Sequence, residues 1–212
     1  MKNLLIASLI LASGLAHGAD SGIDPQYVKM KVYKFAVSTS VYCTNPQVVF
    51  TNANPLYEDI LTSPTFGTGY LRNGSYKCVM LEISDQLKFA SDENSDSGSC
   101  VMGLENTIDL CTEESAVSLN GQTINCQEGE DKVTIYISTV STDLPMSEYG
   151  AQAFEPPRQG NHAYGINLTN ALIVAGPHTG TFVVNGNGQI SDRLDGDGTR
   201  ECEFNPPVFS FR

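Results

Sequence analysis

The chain has 212 residues, with 24 acidic against 12 basic side chains and a net charge of −12 at neutral pH. That balance repels nucleic-acid phosphates and anionic lipid headgroups, so nucleic-acid binding is excluded as an expected function. Apolar residues make up 41% and charged ones 17%, which suits a packed core and not a disordered chain.

Residues 1–18 read as a secretory signal peptide. Lys2 gives the positive start, residues 4–11 are apolar apart from Ser8, and Ala16 and Gly18 occupy the −3 and −1 positions of a cleavage site. The apolar run is too short to span a bilayer, and no later stretch reaches the roughly 18 residues that a membrane helix needs. No Cys follows the run to carry a lipid anchor. The expected product is residues 19–212, a single domain without a transmembrane segment, periplasmic or secreted.

Cys43, Cys78, Cys100, Cys111, Cys126 and Cys202 all lie beyond the leader. An even number of cysteines in an exported chain reads as a disulfide framework. No C-x-x-C or His-rich spacing favours zinc. Proximity suggests one bridge within Cys100, Cys111 and Cys126, leaving Cys43, Cys78 and Cys202 to tie distant strands.

The dominant hydrophobic period is two, the mark of half-buried strands. In 27–42 the apolar face runs Val28, Met30, Val32 and then changes phase to Tyr33, Phe35, Val37. That shift predicts a bulge or a strand serving two sheets. A further strand fits 47–50, and a short helix is expected over 55–62 with Leu56, Ile60 and Leu61 facing the body. Residues 75–83 are apolar on both faces, as in a central, covered strand. The segment 90–99 is a polar, acidic loop ending at Cys100. Asn120-Gly121 and Asn185-Gly186-Asn187-Gly188 each predict a hairpin between flanking apolar runs. Over 132–138, Val133, Ile135 and Ile137 are expected inward, with Thr134, Tyr136 and Ser138 outward. A long loop covers 141–165; strands follow at 166–174, broken near Asn170, and at 203–211, where Pro206-Pro207 marks an edge or a break.

Many short strands with Gly and Asn turns predict an all-β, disulfide-bonded antiparallel β-sandwich with minimal helix. The glycine-led apolar strand 74–83, Gly-Ser-Tyr-Lys-Cys-Val-Met-Leu-Glu-Ile, resembles strands of transthyretin-like and immunoglobulin-like sandwiches. The resemblance implies a fold and no functional residue. The terminus 208–212 resembles the aromatic-ended last strand of outer-membrane barrels, but six cysteines and the absence of Trp speak against that architecture.

No catalytic signature stands out. There is no G-x-S-x-G elbow, and beyond the leader a hydrolytic triad would have only His162 and His178 to draw on. Arg158, His162 and Tyr164 in the long loop form the candidate ligand-binding cluster, suited to an anion. No cofactor is expected, with calcium the one candidate: Asp192, Asp195, Asp197 and Glu201 supply closely spaced oxygens. The stretch departs from the EF-hand pattern, with Thr199 at the third ligand position and Arg200 in place of glycine.

The expectation is therefore an exported, non-enzymatic binding or structural protein of the cell envelope or extracellular space. Its expected partner is a protein or glycan at the cell surface. Two alternatives stand beside it: a secreted hydrolase with a site around His162, and a self-assembling surface or fibre subunit pairing through 26–42 or 203–212.

Overall fold

The computed structural model describes residues 21–62, 70–112, 115–142, 152–176, 182–194 and 198–211. The predicted leader, His178, Asp195, Asp197 and part of the 141–165 loop lie outside the described residues. The strands in chain order begin with β1 (Ser21–Ile23), β2 (Pro25–Met30), β3 (Val32–Ser38), β4 (Gln47–Thr51) and β5 (Glu58–Asp59). Next come β6 (Gly74–Tyr76), β7 (Cys78–Ser84), β8 (Gln86–Ser91), β9 (Asn106–Asp109), β10 (Ser115–Val117) and β11 (Thr123–Asn125). The last are β12 (Lys132–Ser138), β13 (Ile166–Asn167), β14 (Leu172–Val174), β15 (Phe182–Asn185), β16 (Ile190–Leu194), β17 (Arg200–Phe204) and β18 (Val208–Phe211).

Two sheets dominate, one of five strands in the order β13-β12-β7-β3-β4 and one of four in the order β5-β2-β8-β9. A three-stranded sheet, β1-β16-β17, and the pairs β10–β11, β6–β14 and β15–β18 complete the architecture. Pairing is antiparallel throughout the named strands except between β12 and β13, which run parallel. The expected antiparallel β-sandwich is what the chain forms, with that one exception.

The phase change in 27–42 has a physical origin in this architecture. β2 pairs with β8 in the four-stranded sheet, and one residue later β3 pairs with β7 in the five-stranded sheet. The partner strand crosses at the same place, with Asp85 between β7 and β8. The Ser84 N–H donates to the Lys31 carbonyl at 3.1 Å, so one two-stranded ribbon bends from sheet to sheet without losing its ladder. The register also slips between Val32 and Lys34, a bulge that takes up the extra residue.

Between the sheets, Val28, Met30, Leu87 and Phe89 from one side meet Phe35, Val37, Leu81, Ile135 and Ile137 from the other in a single buried cluster. Full burial of each such side chain is worth about 1.5–3 kcal/mol. Phe182 closes one end, its ring 5.7 Å from Phe35, 5.7 Å from Phe209 and 5.3 Å from Phe211. β7, as a central strand covered on both faces, is buried at every residue.

The outer face of the five-stranded sheet carries a second small core of Ala36, Cys43, Cys78, Met80 and Tyr136, covered by Val117 and Leu119. Thr134, Tyr136 and Ser138 are buried and not outward to solvent as the alternation implied, Tyr136 under the β10–β11 hairpin and Ser138 against the Val41 carbonyl. The Tyr136 hydroxyl donates to the carbonyls of Val117 and Ser118, each at 3.0 Å, and fastens that hairpin to the sheet.

Other expectations are corrected. Residues 55–62 form no helix: the Ile60 N–H donates to the Val28 carbonyl, Asp59 Oδ1 accepts from Val28 and Leu61, and β5 adds an edge strand to β2. Leu56 points to solvent. Cross-strand pairing has overridden a weak local helix signal. The glycine turn at 185–188 is present, with Gly188 at φ 69°, but its flanks do not pair. β15 joins β18 and β16 joins β17, so the turn passes the chain between sheets.

The bridges are Cys43–Cys78, Cys100–Cys202 and Cys111–Cys126. One falls among the three neighbouring cysteines, as expected. Cys43 and Cys78 pair with each other, however, and Cys202 takes Cys100. All six cysteines are employed, which marks a protein of an oxidising compartment. Among the described residues no helix is long and apolar enough to cross a membrane.

Candidate functional site

The core between the sheets does not close completely. A cavity of about 250 Å³ remains, walled by Met30 and Leu87 from the four-stranded sheet and by Ile135 and Ile166 from the five-stranded one. Phe154 and Phe209 complete its apolar lining. Period-two alternation in β2 and β12 aims Met30 and Ile135 inward, which is why these two strands give the wall apolar side chains.

The polar part of the lining comes from the β16–β17 ribbon and the segment after it. Arg193 Nη1 lies 3.1 Å from Glu203 Oε1, a cross-strand ion pair on the ribbon face opposite Asp192 and Cys202. Asn205, Pro206 and Pro207 continue this rim. The two prolines donate no backbone hydrogen bond, so the ladder stops between β17 and β18 and leaves a lip at the cavity. Arg193 is about half exposed, placing the ion pair at the boundary between cavity and solvent. An apolar chamber with one neutral, hydrogen-bonding rim is equipped to bind.

The predicted ligand-binding cluster lies elsewhere. The Arg158 guanidinium stands 5.2 Å from the Tyr164 ring, so those two residues are brought together. Arg158 also pairs with Glu155 at 2.7 Å, which already supplies the anion the cluster was expected to await. His162 is exposed, and its carbonyl accepts from the Thr142 N–H at 2.8 Å. None of the three lines the cavity. The turn after them is set by Gly165 at φ 75°, where an added Cβ would come within 2.8 Å of Ser141 Oγ and 2.9 Å of the Tyr136 carbonyl.

The described members of the calcium set do not converge. In the unbroken β16–β17 register Asp192 stands opposite Cys202 while Glu201 stands opposite Arg193, so the two acids project from opposite faces. Asp192 is buried, and Arg200 Nη1 lies 3.2 Å from its Oδ2. Burial pushes this carboxyl up, but hydrogen bonds from Ser97 and Ser99 and the Arg200 charge outweigh it and hold the pKa below the usual range. Among the described residues no group of three or more His, Cys, Asp and Glu is arranged to hold a metal ion.

Comparison with family models, with curated proteins and with solved structures finds no match in any of the three. Inference about function therefore rests on the geometry of this chain.

The polar segment 90–99 is a loop after its first two residues, which close β8. Its backbone is held by Ser95 N–H to the Cys100 carbonyl at 2.9 Å and by Asn94 Oδ1 to the Met102 N–H at 2.8 Å. The Cys100–Cys202 bridge and the Ser97 and Ser99 contacts to Asp192 dock it on the β16–β17 ribbon.

Sequence reasoning missed the cavity residues. Arg193 and Glu203 are ten positions apart, and only the register of the β16–β17 pair makes them neighbours. Pro206-Pro207 was the readable signal: a double proline between two alternating strands announces an interrupted wall.

Proposed function

We propose that this protein is an exported, non-catalytic binding module whose inter-sheet cavity takes one small neutral molecule with an apolar body. The single observation carrying the proposal is an apolar cavity of about 250 Å³, lined by aliphatic and phenylalanine side chains, whose charged rim is the Arg193–Glu203 ion pair. A cavity of about 150 Å³ admits benzene, so this one has room for roughly ten heavy atoms. The two charged residues of the lining cancel, and Arg193 offers donors beside acceptors on Glu203. A hydroxyl or amide head that donates and accepts fits it better than a free carboxylate or ammonium, either of which one partner would repel.

Three disulfides and the signal-peptide pattern of residues 1–18 support action in the periplasm or outside the cell, with residues 19–212 as the working unit.

The test is thermal denaturation of the oxidised mature chain with n-octanol, n-octanoate and n-octylammonium, compared with Ile135→Phe and Ala153→Leu variants that fill the cavity. At a hundred times its Kd a ligand stabilises by about 2.7 kcal/mol, or roughly 5–10 °C for a domain of this size. Octanol is expected to raise the midpoint most, and the filled variants to lose the effect. No shift with any probe, or an equal shift in a folded cavity-filled variant, rejects the reading.

A further inference from the structure

Part of the cavity wall is an edge strand. β9 stands last in the four-stranded sheet, and Ile108 and Leu110 at its end line the cavity beside Leu87 of β8. A strand of four residues, paired on one side and partly exposed, belongs to the portion of a fold that opens most readily. Three aspartates hold its end.

The Leu110 N–H donates to the Asp85 carbonyl at 3.0 Å, and the Asp85 N–H donates to the Asp131 carbonyl at 3.0 Å. In return Asp85 Oδ1 accepts from the Asp131 N–H at 2.7 Å. Asp109 Oδ1 accepts from the Cys111 N–H at 3.2 Å, and its Oδ2 from the Gly129 N–H at 3.0 Å. Asp131 Oδ2 accepts from the Gln127 N–H at 2.6 Å. The three carboxyl groups thus tie the end of β9 to the 127–131 turn and to the bend between β7 and β8.

No cation answers them. Among the described residues no lysine or arginine pairs with Asp85, Asp109 or Asp131. Glu130 of the turn and Lys31 of the β2–β3 link, the other charged groups beside the bend, pair with each other at 2.7 Å. Glu128 and Lys132 at the two ends of the turn are exposed. Asp85 itself is fully buried, and its Oδ2 accepts from no group among the described residues. An ionised carboxyl at this place is both desolvated and repelled, and a protonated one is neither.

We propose that Asp85 is a proton-operated latch on the cavity wall: protonated it keeps β9 and the 127–131 turn closed, and ionised it releases them. Only the effect on a guest rests on the binding role proposed for the cavity. Burial, offset in part by the Asp131 N–H and reinforced by the charges of Asp109 and Asp131, raises the Asp85 pKa to about 6. Release into water returns it towards the ordinary 3.8. Opening is therefore suppressed below about pH 4 and becomes easier as pH rises through about 6. A loosened β9 takes Ile108 and Leu110 away from the guest, so apparent affinity falls with the fraction of chains left closed.

The experiment is amide hydrogen exchange of the oxidised mature chain at pH 4.5 and pH 7.5. Protection factors are read at Leu110, Gly129 and Asp131, with Leu81 and Ile135 of the central β7–β12 ladder as references. Between the two pH values the parent is expected to lose about tenfold or more at the first three amides, beyond any change at the references. Asp85→Asn, which keeps the Oδ1 acceptor, is expected to show no such loss. Asp131→Asn keeps the acceptor for Gln127 and removes one neighbouring charge, so the onset of opening should move to lower pH. n-Octanol is titrated under the same conditions and should bind the parent more weakly at pH 7.5, and Asp85→Asn equally at both. Protection that ignores pH, an unchanged loss in Asp85→Asn or an unmoved onset in Asp131→Asn overturns the latch. Octanol affinity that stays level while protection falls overturns its control of the cavity. Octanol binding at neither pH defeats the binding role of the cavity alone, and the exchange data still decide the latch.

Discussion

The backbone N–H of Asp131 donates to Oδ1 of Asp85 at 2.7 Å, while Oδ2 of the same carboxyl is buried with no hydrogen-bond partner among the described residues. Asp85 lies at the bend where the shared ribbon passes from one sheet to the other.

This environment moves the Asp85 pKa from 3.8 to about 6. Burial pushes it up most, the Asp131 N–H pulls it back, and the charges of Asp109 and Asp131 push it up again. An acid with a raised folded pKa holds its proton more tightly folded than unfolded. Its stabilising contribution is therefore complete below about pH 4 and is lost as pH rises through about 6, to the extent of roughly 2–3 kcal/mol. Asp85→Asn keeps the Oδ1 acceptor and removes the charge. Denaturant titrations at pH 4 and pH 7.5 should show the variant near parental stability in acid and more stable at the higher pH. Glu105, Glu130 and Asp192, whose pKa values are lowered, act in the opposite sense and cancel in the difference. Parallel pH profiles for parent and variant would refute the assignment.

The bridges should differ in worth. Cys100–Cys202 spans 102 positions and Cys111–Cys126 spans 15. Loop-closure entropy gives about 5 kcal/mol for the first and about 3 for the second. Replacing each pair with alanine and measuring unfolding should reproduce that order. Only the first replacement should also free residues 92–99 to limited proteolysis, because that bridge docks them beside Asp192.

Phe154 is buried against the cavity, and its carbonyl accepts from the Val117 N–H at 2.9 Å. Phe154→Ala is expected to cost about 3–5 kcal/mol. If the variant stays folded, the enlarged chamber should shift the preferred alcohol from octanol to a longer chain. Thermal shifts across an alcohol series read this directly.

Tyr136→Phe removes one hydroxyl that serves two carbonyls of the 115–125 hairpin. The expected loss is about 1–2 kcal/mol. Hydrogen exchange should quicken in β10 and β11 and stay unchanged in β7. A uniform increase across all strands would mean that the hairpin is not held separately.

What the sequence disclosed follows the range of each interaction. Alternation is a property of neighbours along the chain, so Val28, Met30 and Val32, the covered run expected over 75–83 and a change of phase before Phe35 were readable. The run nonetheless breaks at Lys77 into β6 and β7, and Tyr33 lies outward beside Glu130 and Lys132. Asn185-Gly186-Asn187-Gly188 declared a turn for the same reason, yet the partners of β15 and β16 depend on Phe209 and Glu203 far along the chain. The same distance hid the Arg193–Glu203 rim and the partner of Cys202. The Tyr-Val-Lys-Met-Lys-Val-Tyr run was visible as alternation, but that Lys88 and Glu105 stand beside its polar half is set by strand pairing across the sheet. The helix expected at 55–62 is absent because the hydrogen bonds of Ile60 and Asp59 with Val28 hold the segment as an edge strand against a short stretch of local preference.

The bent ribbon formed by β2–β3 and β7–β8 has a mechanical consequence. The ribbon carries Met30 and Leu87 of one wall directly, and β12, which carries Ile135 of the other, is paired along its length with β7 of the same ribbon. Prising the walls apart would therefore require breaking a ladder in the middle of a sheet. Guest exchange by opening the sandwich like a clamshell is therefore disfavoured. For the guest proposed above, traffic would be directed instead to the proline lip at 206–207, where no ladder has to yield, and residence time would become a property of that short segment and not of the scaffold.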